Sequence, residues 1–196
     1  MKTSLVILFF AFLGLAGLYS QELNILYNPT FMPGPYGQKL DGWTCGQKYS
    51  ILPNAGPHGE NVLRIESQKG GFSQDSLPLM EGEDYRIGAW IKTVDFESRW
   101  AVFGFWNQGW TKASYTPVLP DTYGEWVKIE AVVKVPWSSN KHYAFGLTSS
   151  GWKGSLEIAS PFLIPESERA KTAQQALNAP SHLISFQCFR SRARQL

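Results

Sequence analysis

Cysteine is nearly absent: Cys45 and Cys188 are the only two in 196 residues. A fold held by a disulfide framework is therefore excluded, and a single Cys45–Cys188 bridge is the one pairing left open. Histidine is as sparse. His58, His142 and His182 have no metal-ligand spacing with one another or with the cysteines, which argues against a zinc site. There is no G-x-S-x-G elbow and no phosphate-cradling glycine loop. A basic stripe is missing too. All 16 acidic residues and 14 of the 18 basic ones fall within residues 21–180, so that stretch is slightly acidic and nucleic acid is not an expected partner. The acids are scattered. Glycosidic cleavage needs two carboxylates facing each other across the bond, roughly 5–9 Å apart; Glu81, Glu83 and Asp84 share one turn, and Glu130 stands alone on an outward strand face.

Long helical periodicity is also lacking from Asn24 to Pro165. What stands there instead is a series of short apolar segments punctuated by Gly, Pro, Asn, Asp and Ser. In "EWVKIEAVVKVP", Val127, Ile129, Ala131, Val133 and Val135 alternate with Lys128, Glu130, Val132 and Lys134. In "DYRIGAWIKT", Tyr85, Ile87, Ala89 and Ile91 take one face and Arg86, Gly88, Trp90 and Lys92 the other. Shorter strand candidates are "NILYNPTF", "GWTCGQK", "NVLRIES", "GFSQ", "HYAFGLTS" and "GSLEIAS". Eight to ten strands without intervening helices predict an all-β fold, a sandwich of two antiparallel sheets.

The ends differ in character. Residues 1–20, "MKTSLVILFFAFLGLAGLYS", place one lysine before an apolar run from Leu5 to Leu18, shorter than the roughly 20 residues that span a bilayer. We read a signal peptide cut near Ser20, hence a secreted protein with no membrane contact after cleavage. Residues 21–165 form the sandwich. Residues 166–180, "ESERAKTAQQALN" and its neighbours, are rich in helix formers, with Ser167 placed to cap a short helix or linker. The tail 181–196 has no acidic residue and three arginines, and is expected to be disordered, with the natural chain continuing into another domain.

The ordered series "NPTF", "DGW", "NVLRIES", "GFSQDSLPLMEGEDYRIGAWIKT", "YGEWVKIEAVVKVP" and "GSLEIASPFLIP" resembles the family 4/9 carbohydrate-binding modules over about residues 24–165. The resemblance implies a galactose-binding-like jelly roll, a carbohydrate partner and a linked glycoside hydrolase. It also implies a structural calcium held in part by an acidic pair at positions matching Ala159-Ser160. Neither position carries a carboxylate, so no cofactor is expected.

Sugar binding needs flat aromatic faces for the apolar side of a pyranose, and amides or charges for its hydroxyls. Strand parity sorts the aromatics. In "WAVFGFW", Ala101, Phe103 and Phe105 take the core side, leaving Trp100, Val102, Gly104 and Trp106 outside. An "NQG" turn then reverses the chain, so that Trp106 and Trp110 flank a hairpin with Asn107 and Gln108 at its tip. Trp90 is outward on its own strand. The predicted ligand-binding set is Trp90, Trp106, Trp110, Arg86, Asn107, Gln108 and His142, with no catalytic residue. In "HYAFGLTS" the outward Ala144, Gly146 and Thr148 are small enough to floor a groove. The expected function is non-catalytic polysaccharide binding in a shallow cleft. A glycosidase or lyase, favoured by two carboxylates converging in that cleft, and a cell-surface structural or protein-binding sandwich, favoured by outward tryptophans buried against loops with no cleft present, are the alternatives.

Overall fold

The structure is a computed structural model that describes residues 24–34, 40–46, 48–65, 71–107, 112–137 and 142–177, with side chains as far as Lys171 in the final stretch. The predicted signal (1–20), the tail (181–196), His182 and Cys188 lie outside the described residues. Ten strands form two sheets: β1 (Thr44–Cys45), β2 (Tyr49–Leu52), β3 (Val62–Ile65), β4 (Phe72–Leu77), β5 (Asp84–Ser98), β6 (Ala101–Asn107), β7 (Ala113–Tyr115), β8 (Val127–Lys134), β9 (Tyr143–Ser149) and β10 (Trp152–Pro165). The first sheet runs β1-β4-β9-β6-β7 and the second β2-β3-β10-β5-β8, every pairing antiparallel. This is the expected all-β jelly-roll sandwich. Among the described residues one helix, α1 (Glu166–Leu177), follows β10 directly.

Alternation decides the packing. Phe103, Phe105, Phe145, Leu147 and Phe72 face inward from the first sheet; Ile87, Ala89, Ile91, Leu63, Leu156 and Ile158 answer from the second. Rings interlock edge to face in the layer: Tyr85 of the second sheet and Tyr143 of the first each lie about 6.5 Å from Phe105. β8 keeps the predicted parity but buries less. Its inward Ile129, Ala131 and Val133 are only half-buried and Val127 is exposed. The reason is its place at the sheet edge, opposite β7, which is only three residues long.

"NILYNPTF" is not the strand its composition predicts. Asn28 and Phe31 both take positive φ (49° and 52°), and the Asn28 side chain accepts from the Met32 N–H and donates to the Met32 and Asp41 carbonyls, winding the segment into a turn. The turn drives Phe31 into the end of the sandwich, fully buried 5.7 Å from Trp43 and 5.9 Å from Phe72. At the other boundary Ser167 does not cap. It lies inside α1, where its hydroxyl bonds to Glu83, while Glu166 ties the first turn to Arg86 at 2.8 Å. Among the described residues no helix is long and apolar enough to cross a membrane.

Candidate functional site

The outer faces of the two sheets are chemically opposite. On the second sheet a cluster of paired charges occupies much of the outward face, beside Trp90 and the exposed Val132. Glu157, nearly buried, sits between Arg64 and Lys92 (2.8 Å), and Arg86 is held by Glu130 and Glu166, each at 2.8 Å. Lys128 closes on Glu130 at 2.7 Å and lies over the Phe162 ring. Each of these charges already has a partner, so together they form a closed ionic lattice.

Glu157 sets the acid sensitivity of that lattice. Burial alone would raise its carboxyl, and the hydrogen bonds from Lys92 and Arg64 outweigh burial, leaving it below the usual 4.5. A depressed carboxyl stabilises the fold above its unfolded value, and that contribution is lost as pH falls through the folded one. Glu157→Gln is expected to lower stability at neutral pH by about 1.5–3 kcal/mol. Melting curves run from pH 7 down to roughly pH 3 check this: the wild type should lose its advantage over the variant below about 4.5. A constant gap across that window contradicts the assignment.

On the first sheet the outer face is nearly free of charge. Its strands carry one acid, Asp75, at an exposed outward position of β4. One cross-strand row reads Ser73, Gly146, Gly104, Tyr115, running from β4 through β9 and β6 to β7. Four strands at about 4.8 Å spacing make that row about 14 Å wide, with no side chain on its two central residues. The rows on either side are Ala144, Trp106 and Ala113, and then Thr148 and Val102.

Both glycines are required by close approaches. A Cβ on Gly104 would stand 2.3 Å from Cδ1 of Tyr115, so the missing side chain is what lets the tyrosine ring lean onto the sheet. A Cβ on Gly146 would stand 1.9 Å from the Phe72 carbonyl oxygen, where β4 presses against β9. Trp100 supports the tyrosine from behind, edge to face at 5.5 Å. Tyr115 stays half-exposed, and burial raises its phenol above the usual value. The product is a braced aromatic ring beside a floor of glycine and alanine, bounded by Trp106 on one side and Val102 and Thr148 on the other.

The predicted site residues divide between these faces. Trp106 is outward on the first sheet as its parity requires, yet only 7% exposed, and Val102, Gly104, Ala144 and Gly146 around it are buried as well, so it is not a freestanding platform. His142 is exposed at the start of β9, at the Trp106 end of the same face. Asn107 falls on the inward parity of β6 and is buried; its N–H donates to the Lys112 carbonyl and its Oδ1 accepts from the Lys112 N–H, at 2.9 and 2.8 Å. It closes the hairpin and is not at its tip. The closure spans 107 to 112, longer than the "NQG" turn expected, and Gln108 and Trp110 lie between, outside the described residues. Trp90 and Arg86 are on the second sheet, with Trp90 beside His58 at 5.2 Å, so Trp90 and Trp106 do not share a cleft.

Tyr115 is the residue that sequence reasoning missed. Its signal was the register: a hairpin closed at 107 and 112 puts Tyr115 opposite Gly104, whereas an "NQG" turn places it elsewhere. At Ala159-Ser160, Ser160 donates its hydroxyl to Glu60 at 3.0 Å. Among the described residues no group of three or more His, Cys, Asp or Glu could hold a metal ion.

No protein-family model matches the chain, and no curated protein sequence matches it. Solved structures do. The CBM22-1 xylan-binding domain from Paenibacillus barcinonensis Xyn10C aligns with a TM-score of 0.51 and 15% identity, covering 69% of this chain and 90% of that one. A family 16 carbohydrate-binding module aligns at 0.51 and 21% identity, covering 72% and 99%. The C-terminal family 22 carbohydrate-binding module of Clostridium thermocellum Xyn10B aligns at 0.52 and 11% identity, covering 73% and 95%. At these identities the likeness shows the fold alone, a β-sandwich of the kind those modules have, and not family 4/9 in particular.

Proposed function

We propose that this domain binds polysaccharide without cleaving it, in the depression on the outer face of the first sheet. The observation that carries the reading is Tyr115, laid against Gly104, braced by Trp100 and left half-exposed beside Gly146 and Ala144. A pyranose presents an apolar face and a rim of hydroxyls. The tyrosine ring and Trp106 suit the first; Thr148, Ser73 and Asp75 suit the second. One carboxylate among the strands of that face is too few for the two-carboxylate chemistry of a glycosidase. The fold neighbours are carbohydrate-binding modules, one of them described as xylan-binding, which makes xylan the first polysaccharide to try.

The same proposal extends to the setting. Residues 1–20 direct export, and the module concentrates a linked glycoside hydrolase on its substrate through high local concentration. Gel electrophoresis of the full chain through embedded xylan, galactan, β-glucan and mannan tests the binding. Retardation by at least one, with no release of reducing ends, is expected. Free migration through all four overturns the reading.

A further inference from the structure

A second depression, of about 730 Å³, lies at the end of the sandwich, where the β5–β6 turn, the β9–β10 turn and residues 119–121 converge. It is broad and open to solvent, with room for a single small ligand lying against its floor. The bottom is apolar: Phe96 and Trp152, both buried, stand 6.2 Å apart at a tilt of 32°, next to Leu119. The walls are stiff. Ser98 donates its hydroxyl to the Gly151 carbonyl at 2.9 Å and accepts from the Trp100 N–H at 3.1 Å, and the Ser150 N–H reaches the Trp100 carbonyl at 2.8 Å.

Two charged groups in this depression make no ion pair among the described residues. Asp121 anchors one carboxylate oxygen, Oδ1, on the Tyr123 N–H (3.1 Å) and the Thr93 hydroxyl (3.3 Å). Its Oδ2 has no protein partner among the described residues. Arg99 makes no ion pair among them either, although the neighbouring Lys153 and Glu97 are paired at 2.9 Å. The lining therefore holds two cations and two anions. An anionic ligand would meet Asp121 and Glu97, and a cationic one Arg99 and Lys153; a neutral molecule with adjacent hydroxyls meets neither penalty. A guanidinium donates to hydroxyl oxygens and a carboxylate accepts from hydroxyl hydrogens, so the pair reads a vicinal diol from both sides.

We propose that this end depression is a second ligand site that takes one neutral sugar unit by its vicinal hydroxyls, with Arg99 and Asp121 as the recognising groups. It is separate from the Tyr115 face and does not rest on the reading of that face. The test uses the ¹⁵N-labelled full chain, titrated with the methyl glycosides of xylose, glucose, galactose and mannose. At least one should shift the Trp152 indole and the Ser98 and Gly151 amide resonances saturably. Asp121→Asn, which keeps an oxygen for the turn, and Arg99→Ala, at an exposed side chain, should each weaken that binding roughly tenfold, while Tyr115→Ala leaves it unchanged. If Asp121→Asn does not fold, Arg99→Ala decides. No shift with any of the four glycosides, or wild-type affinity in the folded variants, overturns the proposal. Loss of gel retardation in Tyr115→Ala judges the first-sheet face separately.

Discussion

Replacing Phe145 by alanine should lower the unfolding free energy by about 3–5 kcal/mol, the largest loss expected from any single substitution considered for this protein. Phe145 is fully buried on the central strand of the first sheet, between Phe105 on β6 and Gln74 on β4. Truncation removes the transfer energy of the ring and opens a cavity that cannot collapse, because strands on both sides fix the backbone. Ala144 and Gly146, its sequence neighbours, point the other way, so the loss falls on the core and spares the outer face. Urea denaturation checks the size of the effect; a cost below about 1 kcal/mol would mean that this layer is not the core.

Tyr115→Ala should abolish most polysaccharide binding, a loss of roughly tenfold to a hundredfold in affinity, with little change in stability. The ring is half-exposed, so its removal uncovers Gly104 without opening the interior. Tyr115→Phe separates ring from hydroxyl and should keep most of the affinity, since stacking needs only the face of the ring. Trp90→Ala, on the opposite sheet, should bind as wild type. Isothermal titration with the polysaccharide that retards the protein reads all three. A Tyr115→Ala variant that binds normally while Trp90→Ala fails would move the site to the second sheet.

Much of this fold is legible in the sequence because period-two alternation is a local signal. The inward sets of β5, β6 and β9 follow directly from parity, as does the outward set Val102, Gly104 and Trp106. The floor of small residues on β9 is legible for the same reason. Which strands become neighbours is a long-range property, and there sequence reasoning stops: Trp90 and Trp106 share an outward parity and end on opposite sheets. Arg86 reads as a free polar partner until β8 and α1 bring Glu130 and Glu166 to it. Hairpin register was the other gap. A register three residues further along than "NQG" suggests turns Asn107 from a ligand contact into a structural clasp and brings Tyr115 onto Gly104. The "NILYNPTF" turn escaped because its strand-like composition is overridden by the Asn28 side chain, which satisfies backbone groups that a ladder would otherwise use.

The central claim is that ligand lies on the outer face of the first sheet, and amide and indole shift mapping tests it most directly. The ¹⁵N-labelled full chain would be titrated with an oligosaccharide of the polysaccharide that retards it. Perturbations are expected to form a contiguous set over residues 102–106, 113–116 and 144–148, including the Trp106 indole, with the Trp90 indole and the amides of Lys92 and Lys128 unmoved. Perturbations centred on Trp90, Lys92 and Lys128 instead, with the first-sheet residues silent, would contradict that claim.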